Sequence, residues 1–190
     1  MSEVLTDPNT VCDPSGANSI GRNSQELNIP SNGIAHPFKQ AFRALASGIV
    51  VITFDAGTAV HGFTATSLTS VSMDPPLALF CVANQSRSRL HLEPGRKVGF
   101  SFLSEDQAEQ ARFFASNRPF GECGQIKIDR VAGAPVVAGS MAVISAAVET
   151  LVPAGDHIIC VCALHEANSA ADKAPLLYHS GRYNGLARIA

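Results

Sequence analysis

The spacing of apolar and polar positions divides the chain into a tail and a body. Residues 1–35 are rich in Asn, Ser, Asp, Pro and Gly, with isolated apolar residues and no lasting period. Such a segment buries too little apolar area to offset its ordering entropy, so it is expected to be mobile or to lie over a neighbouring subunit, and to carry no chemistry. Cys12 within it reads as an incidental exposed thiol. The body, residues 36–190, is expected to form one domain. It opens with PFKQAFRALASG, whose spacing predicts a short helix with Pro37 in its first turn, Phe38, Ala41, Phe42 and Leu45 on one face, and Gly48 as its stop.

Strand patterns follow. IVVITF (49–54) is a β-branched run, DAGT (55–58) supplies turn chemistry, and a second strand leads into HGFTATS. LALFCVA (77–83) and KVGFSFL (97–103) read as further buried strands. Ser104 followed by Gln107 is a capping-box pattern opening a second helix, whose apolar face continues through Ala108, Ala111, Phe114 and Ala115. Two long strands, MAVISAAVETL (141–151) and HIICVCALHEA (157–167), are joined by the turn PAGD. Many short strands with hairpin-length links predict a mainly β fold with inserted helices, an antiparallel barrel or sandwich and not a βαβ array.

Composition narrows the function classes. The chain has 190 residues, 46% apolar and only 16% charged, with 14 Lys+Arg against 16 Asp+Glu and a net charge of −2. That balance gives no electrostatic drive toward nucleic acid or a membrane surface. The apolar surplus calls for a large core, a subunit interface or a bound cofactor. No apolar run is long enough to span a membrane, and the first residues lack the pattern of a secretory signal. Five cysteines do not make a disulfide framework, so the cytoplasm, with reduced thiols, is expected.

The segment richest in potential chemistry is GFTATSLTSVSMDPP (62–76), where Thr64, Thr66, Ser67, Thr69, Ser70 and Ser72 stand beside small residues. Hydroxyls and backbone N–H groups there can approach a phosphate or the edge of a heterocycle. NQSRSRL (84–90) adds Ser86, Ser88, Arg87 and Arg89 after a strand, the makings of an anion clamp. A plain hydroxyl-decorated wet face explains these residues equally well. There is no G-x-G-x-x-G after a strand and no Walker A loop, which argues against a Rossmann site or a P-loop.

Taken in order, SGIVVIT, HGFTATSLTSVSMDPPLALFCV, SRSRL, the GDH of 155–157 and PLLYHSGRYNGL (175–186) resemble the short-chain flavin reductases, the reductase components of two-component flavin-dependent monooxygenases. The resemblance covers the body and not the tail. It implies an FMN-binding split β-barrel of Greek-key antiparallel strands, a homodimer, and an NAD(P)H:flavin oxidoreductase that passes reduced flavin to a separate oxygenase. FMN or FAD, with NADH or NADPH as hydride donor, are the implied cofactors. By the same resemblance Thr64, Ala65, Thr66 and Ser67 line the isoalloxazine edge and ribityl chain, with Ser70 and Val71 following. Asn84, Ser86, Ser88 and Arg89 reach the ribityl chain and phosphate, Tyr183 lies near the pocket, and His157 is the catalytic histidine beside flavin and nicotinamide. Two positions depart from the family's T-x-S-S-F pattern: Thr66 keeps a hydroxyl, whereas Leu68 replaces Phe. Arg87, Arg89, Arg112 and Arg118 are all candidates for a 2′-phosphate.

Other constellations are weaker. Cys160 and Cys162 share a strand face, but C-x-C without a second close pair, even with Cys81 and Cys123, does not match structural zinc spacing, and small buried apolar residues are the better reading; no metal site is expected. His91 with Glu93 and His165 with Glu166 read as solvated polar positions. Phe113, Phe114 and Phe120 either cover a ring or pack the second helix on the barrel. Asp156 is expected to order its turn through an Asx-type bond. Two readings of different class stand: a flavin reductase, and a non-catalytic flavin-binding or electron-carrier protein on the same barrel. The GDH turn and the GRY motif favour the first.

Overall fold

The structure, a computed structural model, describes residues 37–116, 126–170 and 172–187. The tail, Cys12, Arg118, Phe120 and Cys123 lie outside them. The described chain forms helix α1 (Pro37–Arg43), then strands β1 (Ser47–Gly48), β2 (Val50–Ala56), β3 (Ala59–Ala65), β4 (Thr69–Met73) and β5 (Pro76–Ala83). A 3-10 helix (Arg87–His91), β6 (Lys97–Phe102) and helix α2 (Ala108–Ala115) follow. The remainder is β7 (Ile128–Val131), β8 (Ala134–Val137), β9 (Ala142–Ala154), β10 (His157–Ser169), β11 (Leu177–His179) and β12 (Arg182–Asn184).

Seven strands make one antiparallel sheet in the order β3-β2-β6-β9-β10-β5-β4. The β9–β10 hairpin sits between β6 and β5, so the chain between those two strands skips over two positions. β3 and β4 are the outer strands and do not pair with each other, which leaves the barrel split. The β2–β3 turn is the expected one, with Gly57 at positive φ, and the β9–β10 turn places Gly155 there as well.

The run IVVITF is continuous because β2 is covered on both faces. Val50, Ile52 and Phe54 enter the main core with Phe80, Val98, Phe100 and Cys160. Ile49 and Val51 enter a second core with Leu103, Ala111, Phe114 and Leu176, beneath α2. By contrast β5 and β10 alternate, as strands with one buried face do. Cys160 and Cys162 are buried in this alternation, and loss of solvation pushes their thiols up to about 11 and about 12. They act as small apolar residues.

The first helix is shorter than its pattern predicts. It stops at Arg43, where the amides of Ala44 and Leu45 bond three residues back to Ala41 and Phe42. Gly48 is not its stop, because the sheet partner β11 captures Ser47 and Gly48 opposite Tyr178 and Leu177. The capping box is present: Gln107 Oε1 accepts from the Ser104 amide at 3.2 Å. The hairpins β7–β8 and β11–β12 have no counterpart in the sequence reading, and β4 emerges from the hydroxyl-rich stretch read as a binding loop.

β8 pairs only with β7, and it lies across the covered face of β2 and β6. Its buried backbone groups find side chains: Thr53 Oγ1 donates to the Pro135 carbonyl, and Ser101 Oγ accepts from the Val137 amide at 2.9 Å. The crossing requires Gly99, since a Cβ there would overlap the Pro135 carbonyl and press on Val136. Gly99→Ala is expected to cost about 2–3 kcal/mol through forced displacement of this layer. A urea melt checks this, with a lower midpoint and an unchanged slope expected.

Candidate functional site

A cavity of about 670 Å³ opens along the outer edge of β3. Seven consecutive residues, His61 to Ser67, line it. Neighbours on a strand point to opposite faces, so a consecutive lining means that the cavity follows the strand's unpaired edge and not one face. Among the described residues, that edge presents backbone N–H and C=O groups with no partner strand. The other walls are the end of β5 (Cys81, Val82, Ala83), the 3-10 helix, the C-terminal end of α2 (Phe114, Ala115, Ser116) and His157 at the start of β10.

Of the residues expected at the site, Thr64, Ala65, Thr66, Ser67, Ser86, Ser88 and His157 share this cavity. Their hydroxyls are not equivalent. Thr64 Oγ1 donates to the Ala111 carbonyl at 2.7 Å, holding α2 to the sheet edge. Ser67 Oγ accepts from the Cys81 amide at 3.0 Å and fastens the loop after β3 to β5. Ser86 Oγ caps the 3-10 helix by accepting from the Ser88 amide. Thr66 is exposed and lines both the cavity and a shallow groove beside α1.

The remaining expected residues stand elsewhere. Ser70 and Val71 are exposed on β4 and do not line the cavity. Arg89 does not line it either; its Nη1 donates to the Leu92 carbonyl, and Arg87 takes the lining position. Tyr183 packs against the second core, edge-on to Tyr178, with the Arg112 guanidinium 5.3 Å from its ring centre. Burial raises the pKa of its phenol. Leu68, at the position where Phe is usual, packs partly buried against the main core. Asn84 is a tether: its amide bonds the Asp156 carbonyl at 2.9 Å and its Nδ2 the Gly155 carbonyl at 3.2 Å, fixing the turn that carries His157.

That turn has its own electrostatics. His157 Nδ1 lies 2.7 Å from Asp156 Oδ1, and this bond, with the attraction between the two groups, holds the Asp156 carboxyl below its usual range. An ionised carboxylate only accepts, so the proton of this bond sits on Nδ1 and Nε2 is the nitrogen left for another partner. Asp156 therefore orients the histidine through its side chain, and Asn84 ties the turn down through its backbone amide and its side chain.

The sequence reading also passed over a basic group. His91, expected to be solvated, is half-buried with its ring centre 5.4 Å from that of His61 and 5.9 Å from that of Phe54. Both histidines and Arg87 line the cavity. The signal lay in HGFTATS, where His61 precedes the hydroxyl-rich run on the same strand. Phe114 lines the cavity and is buried, with Phe113 packed edge-on against it, so the second helix both packs on the barrel and walls the site.

A family model described as flavin reductase like domain matches residues 42–187. The chain belongs to the flavin reductase-like domain family. Within this family it is similar to an NADH:FMN oxidoreductase of Rhodococcus erythropolis, with 35% identity over 80% of this chain and 83% of the relative. It is also similar to an NADH-dependent FAD reductase of Streptomyces globisporus, 32% identical over 78% of this chain and 84% of the relative. Among solved structures, the styrene monooxygenase flavin reductase of Pseudomonas putida S12 matches with a TM-score of 0.73 and 30% identity over 80% of this chain and 99% of that one. These likenesses agree with the mainly β antiparallel fold expected from the sequence.

In this flavin reductase-like chain the tether to the histidine turn is the most accessible feature to probe. Asn84→Ala is expected to speed amide exchange in residues 154–157 about threefold, by removing one exposed side-chain hydrogen bond. Exchange in β2 and β6 should stay unchanged.

Proposed function

We propose that the protein is an NAD(P)H-dependent flavin reductase that supplies reduced flavin to a separate monooxygenase. The observation that carries this reading is the convergence in one cavity of an open strand edge, a hydroxyl and arginine pair from the 3-10 helix, and an oriented histidine. A flavin offers matching chemistry: a pyrimidine edge of alternating donors and acceptors, an apolar ring, a polyhydroxyl chain and a phosphate. The backbone edge at residues 62–67 suits the first, Phe63, Val82 and Phe114 the second, and Ser88 with Arg87 the last two. The cavity volume falls within the range of about 300–1,000 Å³ typical of cofactor sites.

When bound, flavin and nicotinamide supply the hydride chemistry, and the protein's part is to bind, orient and exclude. His157 presents Nε2 toward the cavity as a hydrogen-bond partner for a nicotinamide-side group, while Asp156 keeps its ring in one tautomer. Phe114 and α2, tied down by Thr64, keep water from one wall. Of the arginines considered for a 2′-phosphate, Arg87 lines the cavity, whereas Arg89 and Arg112 do not. The activities for which the relatives are named, on FMN in one and FAD in the other, support the flavin as the shared substrate.

The assembly is read as a homodimer. Helix α1 buries none of its residues, and Phe42 and Leu45 are 73% and 61% exposed beside Tyr178 in a shallow groove. An amphipathic helix left outside the core in a chain of such low charge is supported by a partner that covers it. Light scattering is expected to give twice the chain mass for the native protein and a shift toward the monomer for Phe42→Glu.

Oxidation of NADH and NADPH with added FMN or FAD tests the reaction itself. Turnover with at least one pair is expected; tight flavin binding without turnover for any pair would leave a flavin carrier instead. His157→Ala should slow flavin reduction about tenfold in stopped-flow, the equivalent of one lost hydrogen bond near the reacting rings, and change flavin affinity less than threefold. Unchanged reduction kinetics would remove His157 from the catalytic role.

A further inference from the structure

His61 and His91 have no part in the flavin reading above, yet they share the cavity with Arg87, the arginine placed there at the phosphate. His61 comes from the edge strand β3, and His91 and Arg87 from the two ends of the 3-10 helix, yet all three line one cavity. The imidazoles lie ring to ring, 5.4 Å apart, both against Phe54, whose own ring centre is 6.4 Å from that of His61. Phe54 is wholly buried and gives the half-buried His91 and the exposed His61 a fixed apolar support.

We propose that His61, His91 and Arg87 form a proton-taking phosphate subsite, in which docking of a nucleotide's phosphate is accompanied by proton uptake on the histidine pair. The proposal rests on the reading of the cavity as a flavin site and extends it to regulation by pH. Partial burial against Phe54, with the nearby His91 and Arg87 charges, holds the His61 pKa below the ordinary imidazole value in the unliganded protein. The ring is therefore mainly neutral near pH 7. A dianion brought beside it reverses that balance, because an adjacent opposite charge favours the protonated ring. Uptake of a proton on binding means that affinity rises as pH falls and weakens as pH climbs past the liganded pKa.

The charged groups on the neighbouring elements are paired with one another. Asp55, at the end of β2, is held by Arg130 through two bonds of 2.8 and 2.9 Å. Glu93 is paired with Arg96, whose Nε also donates to the His91 carbonyl at 2.9 Å. The α2 wall contributes Phe114, Ala115 and Ser116, none of which titrates near neutrality, and β5 contributes Cys81. His157, which also lines the cavity, is paired with Asp156.

Phosphate could be presented as the monoester of FMN or as the pyrophosphate of FAD or of a nicotinamide dinucleotide, and the test separates these sources. Riboflavin, FMN, FAD, NADH and NADPH are each titrated onto the full chain from pH 6.5 to 8.5, by flavin fluorescence or calorimetry. Calorimetry in buffers of different ionisation enthalpy counts the protons taken up. The preference for FMN over riboflavin is expected to fall about tenfold more across this range in the native chain than in His61→Gln/His91→Gln, where only the phosphate's own titration remains. Riboflavin affinity and the thermal melt of the variant show that its site is intact. If the variant does not fold, proton uptake by the native chain decides alone, and uptake no greater than that of the free phosphate overturns the proposal. A pH-dependent preference seen only with FAD or with a dinucleotide supports it and assigns the pyrophosphate. Identical pH profiles in native chain and variant overturn it while leaving the flavin reading intact, whereas failure of every flavin to bind overturns both.

Discussion

β3 bonds to β2 along one side, residue for residue from Ala59 to Ala65, and among the described residues no strand lies on its other side. An open strand edge is ordinarily a hazard, because its row of backbone donors and acceptors invites pairing with another chain. Here the end of α2 and the 3-10 helix stand over it, so that the edge faces a bounded cavity. Thr64, by donating to the Ala111 carbonyl, fixes the distance between edge and cover. Gly62 permits it: a Cβ there would meet the Ile52 carbonyl at 2.7 Å and Phe114 at 3.1 Å, so a larger residue would push the helix off the strand. The cavity exists because the strand is unpaired and the cover is close.

The chemistry is then distributed by topology. The β9–β10 hairpin, inserted between β6 and β5, carries His157 to the end of β5, where Asn84 binds the turn. The 3-10 helix leaves β5 at the same point and brings Ser88, Arg87 and His91 back along the cavity. Residues far apart in the chain therefore meet through two short connections anchored on one strand end, which suits a site that must hold a ligand's position to within a fraction of an ångström.

Much of this was legible in the sequence, and the parts that were not share a physical cause. The long strands, the capping box at Ser104 and the GDH turn follow from local periodicity and turn chemistry, which the chain states outright. The hydroxyl-rich stretch lines the cavity with its first residues, but the division of labour within it was not legible: Thr64 and Ser67 turn inward to backbone partners, and Ser70 and Val71 run on into β4. Which of Arg87 and Arg89 faces the cavity is set by the tight winding of a 3-10 helix, where three residues make a turn and positions two apart point to different sides. The pairing of His61 with His91 joins a strand to a helix thirty positions on, and the β7–β8 layer rests on the Gly99 crossing. Tertiary contacts of this kind leave no period in the sequence.

The central claim is that the open edge of β3 is where a flavin ring lies. A crystal structure of the chain with FMN tests it most directly. The isoalloxazine edge is expected against the backbone of residues 62–67, with the phosphate on the side of Arg87 and His91 and the ring's open face toward His157. FMN seated instead in the groove between α1 and β11, beside Phe42 and Tyr178, would contradict the account.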